Sequence, residues 1–355
     1  MTESFIIDGA FNGLVTEPVY PVDGREIVEQ FLHGGVRIVH SSVVTDLMGP
    51  TSFEGAIDAI LEHDAVFDAY PESTTKVDSY AAAVNASGGD RLGIVYHFQG
   101  ASAIGSDLDK LAVLHRLGLR ILQVTYNEEN LLGCGGNCPT DTGLTSFGRK
   151  VVRACNQLGV LLDVSHVGPK TALDVVEHSD KPVVASHSNA ATIYPHSRNL
   201  SDELIRAIAA SRGLIGVCPH AVFTGSATGR ESTLDDFIRH ISHIAELTDT
   251  SNLGLASDRF AAPNFYSAIL KQRRALNVGS FWTGVSLASK HVHGFRSWSE
   301  IENLESALRN VGFSSDDLAK IRGENFLRVY GDAWPAGEHS ALPGTTEEHV
   351  VSAHV

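Results

Sequence analysis

The chain has 355 residues, 43% of them hydrophobic, enough for one large α/β domain or two ordinary ones. Its 27 Lys and Arg against 42 Asp and Glu leave a net charge of −15 with no basic run, which argues against nucleic acid and anionic membrane as partners. The start, MTESFIIDG, lacks a basic region followed by a long apolar run, and no later stretch approaches the roughly 18 apolar residues of a membrane span, so a soluble, cytoplasmic protein is expected.

The first element is SFIIDGAFNGL, in which Phe5, Ile6 and Ile7 make a short buried strand that breaks at Gly9. Such a break often delivers a catalytic residue, yet Ala10, Phe11 and Asn12 follow, none of them a good metal ligand or base. Further apolar runs succeed it: GVRIVHSS, LGIVYHFQ, LRILQVTY, GVLLDVSH, PVVASHS, GLIGVCP and LGLASD, eight strand candidates in all. Between them lie segments of helical period, DLDKLAVLHRLG, FGRKVVRACNQLG, KTALDVVEHS, SDELIRAIAASRG and TLDDFIRHISHIAEL, several ending at a glycine stop. Continuous apolar strands alternating with helices imply a parallel sheet buried on both faces, and eight such units are the number that closes a TIM-type (β/α)8 barrel. A doubly wound open sheet is the alternative. No G-x-G-x-x-G or P-loop pattern opens a helix, so nucleotide binding lacks support. The expected division is a single barrel over 1–335 and a loose tail over 336–355, AGEHSALPGTTEEHVVSAHV.

In a barrel the active site lies at the carboxyl ends of the strands. Those ends carry Asp8 and Asn12, His40 and Ser41, His97 and Gln99, Tyr126 and Asn127, His166, His187, Cys218 and His220, and Asp258. His166 and His187 end consecutive strands, about 4.8 Å apart if they are neighbours, so their imidazoles are expected to converge on one ion at about 2.0 to 2.1 Å each. The remaining candidates have plainer readings. Cys134 and Cys138 in LLGCGGNCPT are half a zinc site without its second pair, so a glycine-rich loop is the default. Cys218 reads as a buried thiol, His196 as a loop histidine, and His291 and His293 in KHVHGF as part of a loop-like stretch.

The run GVLLDVSHVGPKTALDVVEHSDKPVVASHSNAATIYPHSRNLSDELIRAIAASRGLIGV resembles the membrane (renal) dipeptidase family of amidohydrolase-type, metal-dependent barrels, more weakly from Asp8 to the FLRVYGD segment. The resemblance implies that His166 and His187 hold one zinc of a two-zinc centre. It implies further that Arg198 in PHSRN holds the substrate carboxylate, and that Asp258 handles the proton of the attacking water. Where family members read D-G-H-N-D this chain reads Asp8-Gly9-Ala10-Phe11-Asn12, so both ligands of the first zinc are gone. The bridging glutamate is Gln99, and the histidine that polarises the scissile carbonyl is Tyr126.

Two cations about 3.5 to 4 Å apart need bridging anions, which a neutral glutamine does not supply. One divalent ion, zinc, is therefore expected beside His166 and His187, with Gln99 as a further ligand. Asp258 and Tyr126 are the catalytic candidates. Arg198, Asn127 and Phe11 are expected to contact a small carboxylate-bearing substrate, the Phe11 ring filling space beside the vacated metal position. Three classes of function stay open: a single-metal hydrolase, a non-hydrolytic metal-dependent lyase, decarboxylase or isomerase, and a metal-free ligand-binding pseudoenzyme. A homodimer is compatible with each.

Overall fold

The computed structural model describes residues 5–12, 24–225, 231–260 and 290–334. All eight expected strands form. They are β1 (Ile6–Asn12), β2 (Val36–Thr45), β4 (Leu92–Gln99), β5 (Leu119–Gln123), β6 (Leu161–Asp163), β7 (Val183–Ala185), β8 (Leu214–Val217) and β9 (Leu253–Leu255). Each pairs in parallel with the next, and β1 pairs with β9 through Asp8 and Leu255. That last pairing closes the barrel and excludes the open sheet. Two short strands add to it: β3 (Thr74–Lys76) beside the start of β4, and β10 (Arg259–Phe260) beside the end of β1.

The strands are apolar and β-branched because both faces are covered. Outside lie helices such as α1 (Gly24–His33), α2 (Phe53–Ala69) and α3 (Tyr80–Ser87), which the periodic segments did not include. The amino-terminal mouth is filled by Ile7, Ile38, Val95 and Leu214 against Phe326 and Tyr330 of the helix Asn325–Ala333. The helix ends follow local rules. Over Ser146–Leu158, Thr145 Oγ1 caps the amide of Gly148 at 2.9 Å and Gly159 takes the left-handed conformation at the other end. In ASRGL the left-handed residue is Arg212 rather than the glycine. Gly213 is needed for another reason: a Cβ there would come within 1.9 Å of the Val183 carbonyl oxygen.

His40 lies in mid-strand, not at a strand end as expected, because β2 runs on to Thr45. Its Nδ1 contacts the Gly9 carbonyl oxygen at 2.9 Å and its Nε2 the Tyr330 hydroxyl, so it belongs to the barrel floor. The expected tail, 336–355, lies outside the described residues. No helix among the described residues is long and apolar enough to cross a membrane, and all four cysteines are free thiols.

Burial holds several histidines neutral. Desolvation lowers His40 to about 3 and His63 and His240 to about 4. In the unfolded chain each returns to its ordinary value of about 6.5, so below that pH the unfolded state binds more protons. Stability is thus complete above about pH 6.5 and falls as the pH drops towards 4, by up to about 1.4 kcal/mol per pH unit for each histidine. His240→Gln keeps an acceptor for the Ala190 amide and a donor for the Thr224 carbonyl. It should flatten the acid limb by about that amount, measured by denaturant unfolding from pH 7 to 4.5. An unfolding free energy independent of pH over this range would contradict neutral burial.

Candidate active site

The carboxyl-terminal rim is organised by Asp163, the last residue of β6, which is fully buried. Its Oδ1 accepts the amides of Ser165 and Ser186 at 2.8 and 2.9 Å, and its Oδ2 accepts the Ser186 hydroxyl at 2.6 Å and lies 3.0 Å from His97 Nε2. Burial alone would raise this carboxyl, but His97, His187 and the Ser186 hydroxyl outweigh it and hold it well below the usual carboxylate range. The Ser186 proton is committed to Asp163, so Ser186 Oγ must accept from Nδ1–H of His187, 2.7 Å away.

His166 is fixed in the same way from the other side. Its Nδ1 donates to Asn127 Oδ1 at 2.8 Å, and Tyr126 stacks on its ring at 4.1 Å and 24°. Its backbone is left-handed, with φ 66°. The Gly136 amide donates to its carbonyl oxygen at 2.7 Å. The stretch LLGCGGNC is thus the glycine-rich loop expected, and a Cβ on Gly135 would come within 2.3 Å of the Asn127 carbonyl carbon. Asn127, expected to touch substrate, orients His166 through its Oδ1, while its Nδ2 has no hydrogen-bond partner among the described residues.

With both Nδ1 atoms carrying the proton, both Nε2 atoms present lone pairs, and they are 2.8 Å apart. Desolvation, with Asp258 opposing and Arg198 adding to it, lowers His187 to about 3, so His187 carries a single ring proton at neutral pH. Two converging lone pairs are the donor set of a cation. Among the described residues, however, no group of three or more His, Cys, Asp or Glu side chains could hold a metal. Two imidazole nitrogens are what these residues would offer a metal ion.

The opposite side of the rim is a chain of neutral amides. Asp258 Oδ1 accepts from Asn12 Nδ2 at 2.9 Å, and Gln99 Nε2 donates to Asn12 Oδ1 at 3.3 Å and to Ser42 Oγ at 2.7 Å. Gln99, expected as a metal ligand, is placed in this chain. Phe11 is elsewhere altogether. Its ring packs edge-on against Phe31 of α1 at 4.7 Å, between barrel and helices, because side chains alternate along a strand and Asn12 takes the pocket face. The expectation that Phe11 fills the vacated metal position, or contacts substrate, is therefore corrected. Asp8 is also structural: it accepts from the Ser257 amide and hydroxyl and from Trp298 Nε1, tying β1 to the residue before Asp258.

Arg198 is 3% exposed, donates through Nη2 to the His187 carbonyl oxygen at 3.1 Å, and lies 5.1 Å over Phe223. Its Nε has no hydrogen-bond partner, and no carboxylate among the described residues lies within ion-pair distance. Asp258 has φ 47°, a second left-handed non-glycine residue, held by its amide on the Ala10 carbonyl at 2.8 Å. A residue that sequence analysis did not single out is Lys290. It stands 3.4 Å from Asp258 Oδ2 and donates to the Asp258 carbonyl, reaching the rim from just beyond residues 261–289. The stretch it opens is not a plain loop, since His291 and His293 form isolated bridges to His220 and Thr233, and His291 Nε2 contacts the Ser257 carbonyl. The only cue was the alternation in KHVH.

The chain is similar to several known proteins. The chain is 28% identical over 233 residues to "Dipeptidase tcpJ" of Claviceps purpurea, a match that covers 65% of this chain and 48% of that protein, so the chain spans about half the length of that relative. It is 28% identical to an uncharacterized protein in the pqqA 5' region of Klebsiella pneumoniae, covering 68% and 83% of the two chains. Among solved structures, an amidohydrolase from Pseudomonas aeruginosa superposes with a TM-score of 0.81 at 28% identity, over 94% of this chain and 97% of the other. A metallo peptidase from Rhodobacter sphaeroides, liganded with a phosphinate mimic of L-Ala-D-Ala, shares the fold at 22% identity and TM-score 0.74, over 93% and 99%. Residues 27–268 match the family described as membrane dipeptidase (peptidase family M19), and the chain belongs to that family.

Proposed function

We propose that this chain is a single-metal amidohydrolase that cleaves an amide bond in a small substrate bearing a carboxylate. The observation that carries the proposal is the pair of Nε2 atoms of His166 and His187 converging at 2.8 Å, with each Nδ1 committed to a neighbouring oxygen. Membership of a family of metal-dependent hydrolases supports it. When bound there, a divalent ion, zinc by the nitrogen donors, supplies Lewis acidity to the substrate carbonyl and its attacking water.

The chain's own residues do the rest. Arg198, buried and without an ionic partner among the described residues, binds the substrate carboxylate through its planar fork. Asp258 accepts a proton from the attacking water as the carbon–oxygen bond forms, and gives it to the nitrogen as the carbon–nitrogen bond breaks. Tyr126, held flat on His166 and close enough to interact with Arg198, supplies a donor to the substrate carbonyl. The Asn12–Gln99 amide chain has no charge to offset a second cation, which is the reason for assigning one ion and not two.

Elemental analysis of protein exposed to zinc and desalted should find one equivalent per chain, and His166→Ala or His187→Ala should lose it. Two equivalents at the site, or unchanged zinc in the paired variant, would remove the basis of the proposal. Ser186 fixes the tautomer of His187, so Ser186→Ala should weaken zinc about 10- to 100-fold in chelator competition, with Ser186→Thr near the parent. Unchanged affinity in Ser186→Ala would mean that the serine only packs.

Loss of the charged pair with Arg198 should cost about 1.5 to 3 kcal/mol. A carboxamide analogue should accordingly bind about 10- to 150-fold more weakly than the matching carboxylate. Arg198→Lys should recover little of it, because an ammonium does not reproduce the planar fork. Calorimetric affinities that are equal for carboxylate and carboxamide would exclude this role.

A further inference from the structure

The charges on the Asp258 side of the pocket restrict what a substrate can carry there. Asp258 interacts with both Arg198 and His187, so it is the carboxylate of this pocket. Lys290 stands against it at 3.4 Å, donates to its carbonyl oxygen, and lies 4.2 Å over the Phe260 ring, with the lysine side chain 9% exposed and the aspartate 14%. The other buried carboxylates among the described residues are engaged elsewhere: Asp8 by Ser257 and Trp298, Asp163 by Ser186, Asp236 by Thr233, and Glu305 by Arg309 and Arg322. Glu128 and Glu129, next along the loop from Tyr126, are exposed. Among the described residues, Asp258 is thus the carboxylate that faces both Arg198 and Lys290.

An ammonium group arriving beside Asp258 meets a carboxylate whose charge Lys290 already offsets, and meets Lys290 itself across a poorly screened distance. Asn12 Nδ2 on the other oxygen of Asp258 is a second donor facing the same way. We infer that the substrate bears no free α-amino group at the Asp258 end, and that the pocket takes N-acyl amino acids, with an uncharged acyl group beside Lys290, in place of dipeptides with a free amino terminus. This rests on the amidohydrolase reading above and adds the substrate class to it. Lys290 is then the residue that sets the selection: it makes no contact that a dipeptide needs, and it repels the one group that distinguishes a dipeptide from an N-acyl amino acid.

N-acetylalanine and glycylalanine test the point, since they share the carboxylate and the amide and differ by the ammonium. Both alanine enantiomers are compared on the full-length, zinc-loaded protein, by calorimetric Kd and by kcat/KM for alanine release. N-acetylalanine should be favoured at least tenfold. Lys290→Met should shift the ratio at least tenfold towards glycylalanine, while Lys290→Arg, which keeps the charge, should retain the original preference. Glycylalanine bound and cleaved as well as N-acetylalanine by the unmodified protein, or a ratio unmoved by Lys290→Met, overturns the inference and leaves the amidohydrolase reading standing. If Lys290→Met does not fold, the parent ratio and that of Lys290→Arg decide: no preference in the parent, or its loss in Lys290→Arg, overturns the inference. Failure of both compounds to bind more tightly than their carboxamides overturns the inference together with the reading beneath it.

Discussion

The rim of this barrel depends on one buried carboxylate, Asp163. Taken out of water, an ionised group survives only if donors surround it, and Asp163 obtains them from the chain just beyond β6 and β7, which brings Ser165 and Ser186 to a common centre. The Ser186 carbonyl then lies where Gly9 and Gly216 must lack side chains, since a Cβ on either would approach it within 2.7 and 1.9 Å. Backbone placement, serine orientation and the His187 tautomer are therefore consequences of the same charge. The pocket inherits its donor geometry from a group that never touches a substrate.

Across the pocket the two halves differ in kind. One half offers two imidazole Nε2 atoms that face each other, each ring held from behind at Nδ1. The other offers Asn12 and Gln99, whose amides satisfy one another and leave a single carboxylate, paired with Lys290. The groups on this half, Asn12, Gln99 and Ser42, are joined to one another by hydrogen bonds. The strain at His166 and Asp258 is retained on both halves.

The barrel was legible because each of its eight strands is a continuous apolar run long enough to stand out, and because helical segments separate most of them. The strands at Thr74–Lys76 and Arg259–Phe260 were not legible. Three and two residues carry no period, and tertiary pairing alone makes them strands. His166, His187, Arg198 and Asp258 could be marked from their positions at strand ends and from family likeness, but their partners could not. Asn127 and Ser186 are ordinary polar residues until their hydrogen bonds are seen, and Lys290 opens a stretch whose one cue, the alternation in KHVH, does not point to a partner for Asp258. Phe11 is a different matter. The alternation of a strand, applied to Ala10, Phe11 and Asn12, was sufficient to send its ring to the helix side.

That alternation has a consequence for how such a chain diverges. Along β1, Phe11 meets Phe31 in the packing layer while Asn12 meets Asp258 in the pocket. Neighbouring codons therefore answer to separate selective pressures, one for holding the barrel together and one for what happens inside it. A lineage can exchange the inward residues, and with them the inventory of charge, while the outward ones keep the scaffold within its tolerance. Drift in catalytic repertoire and conservation of architecture can proceed side by side in a stretch of only two residues.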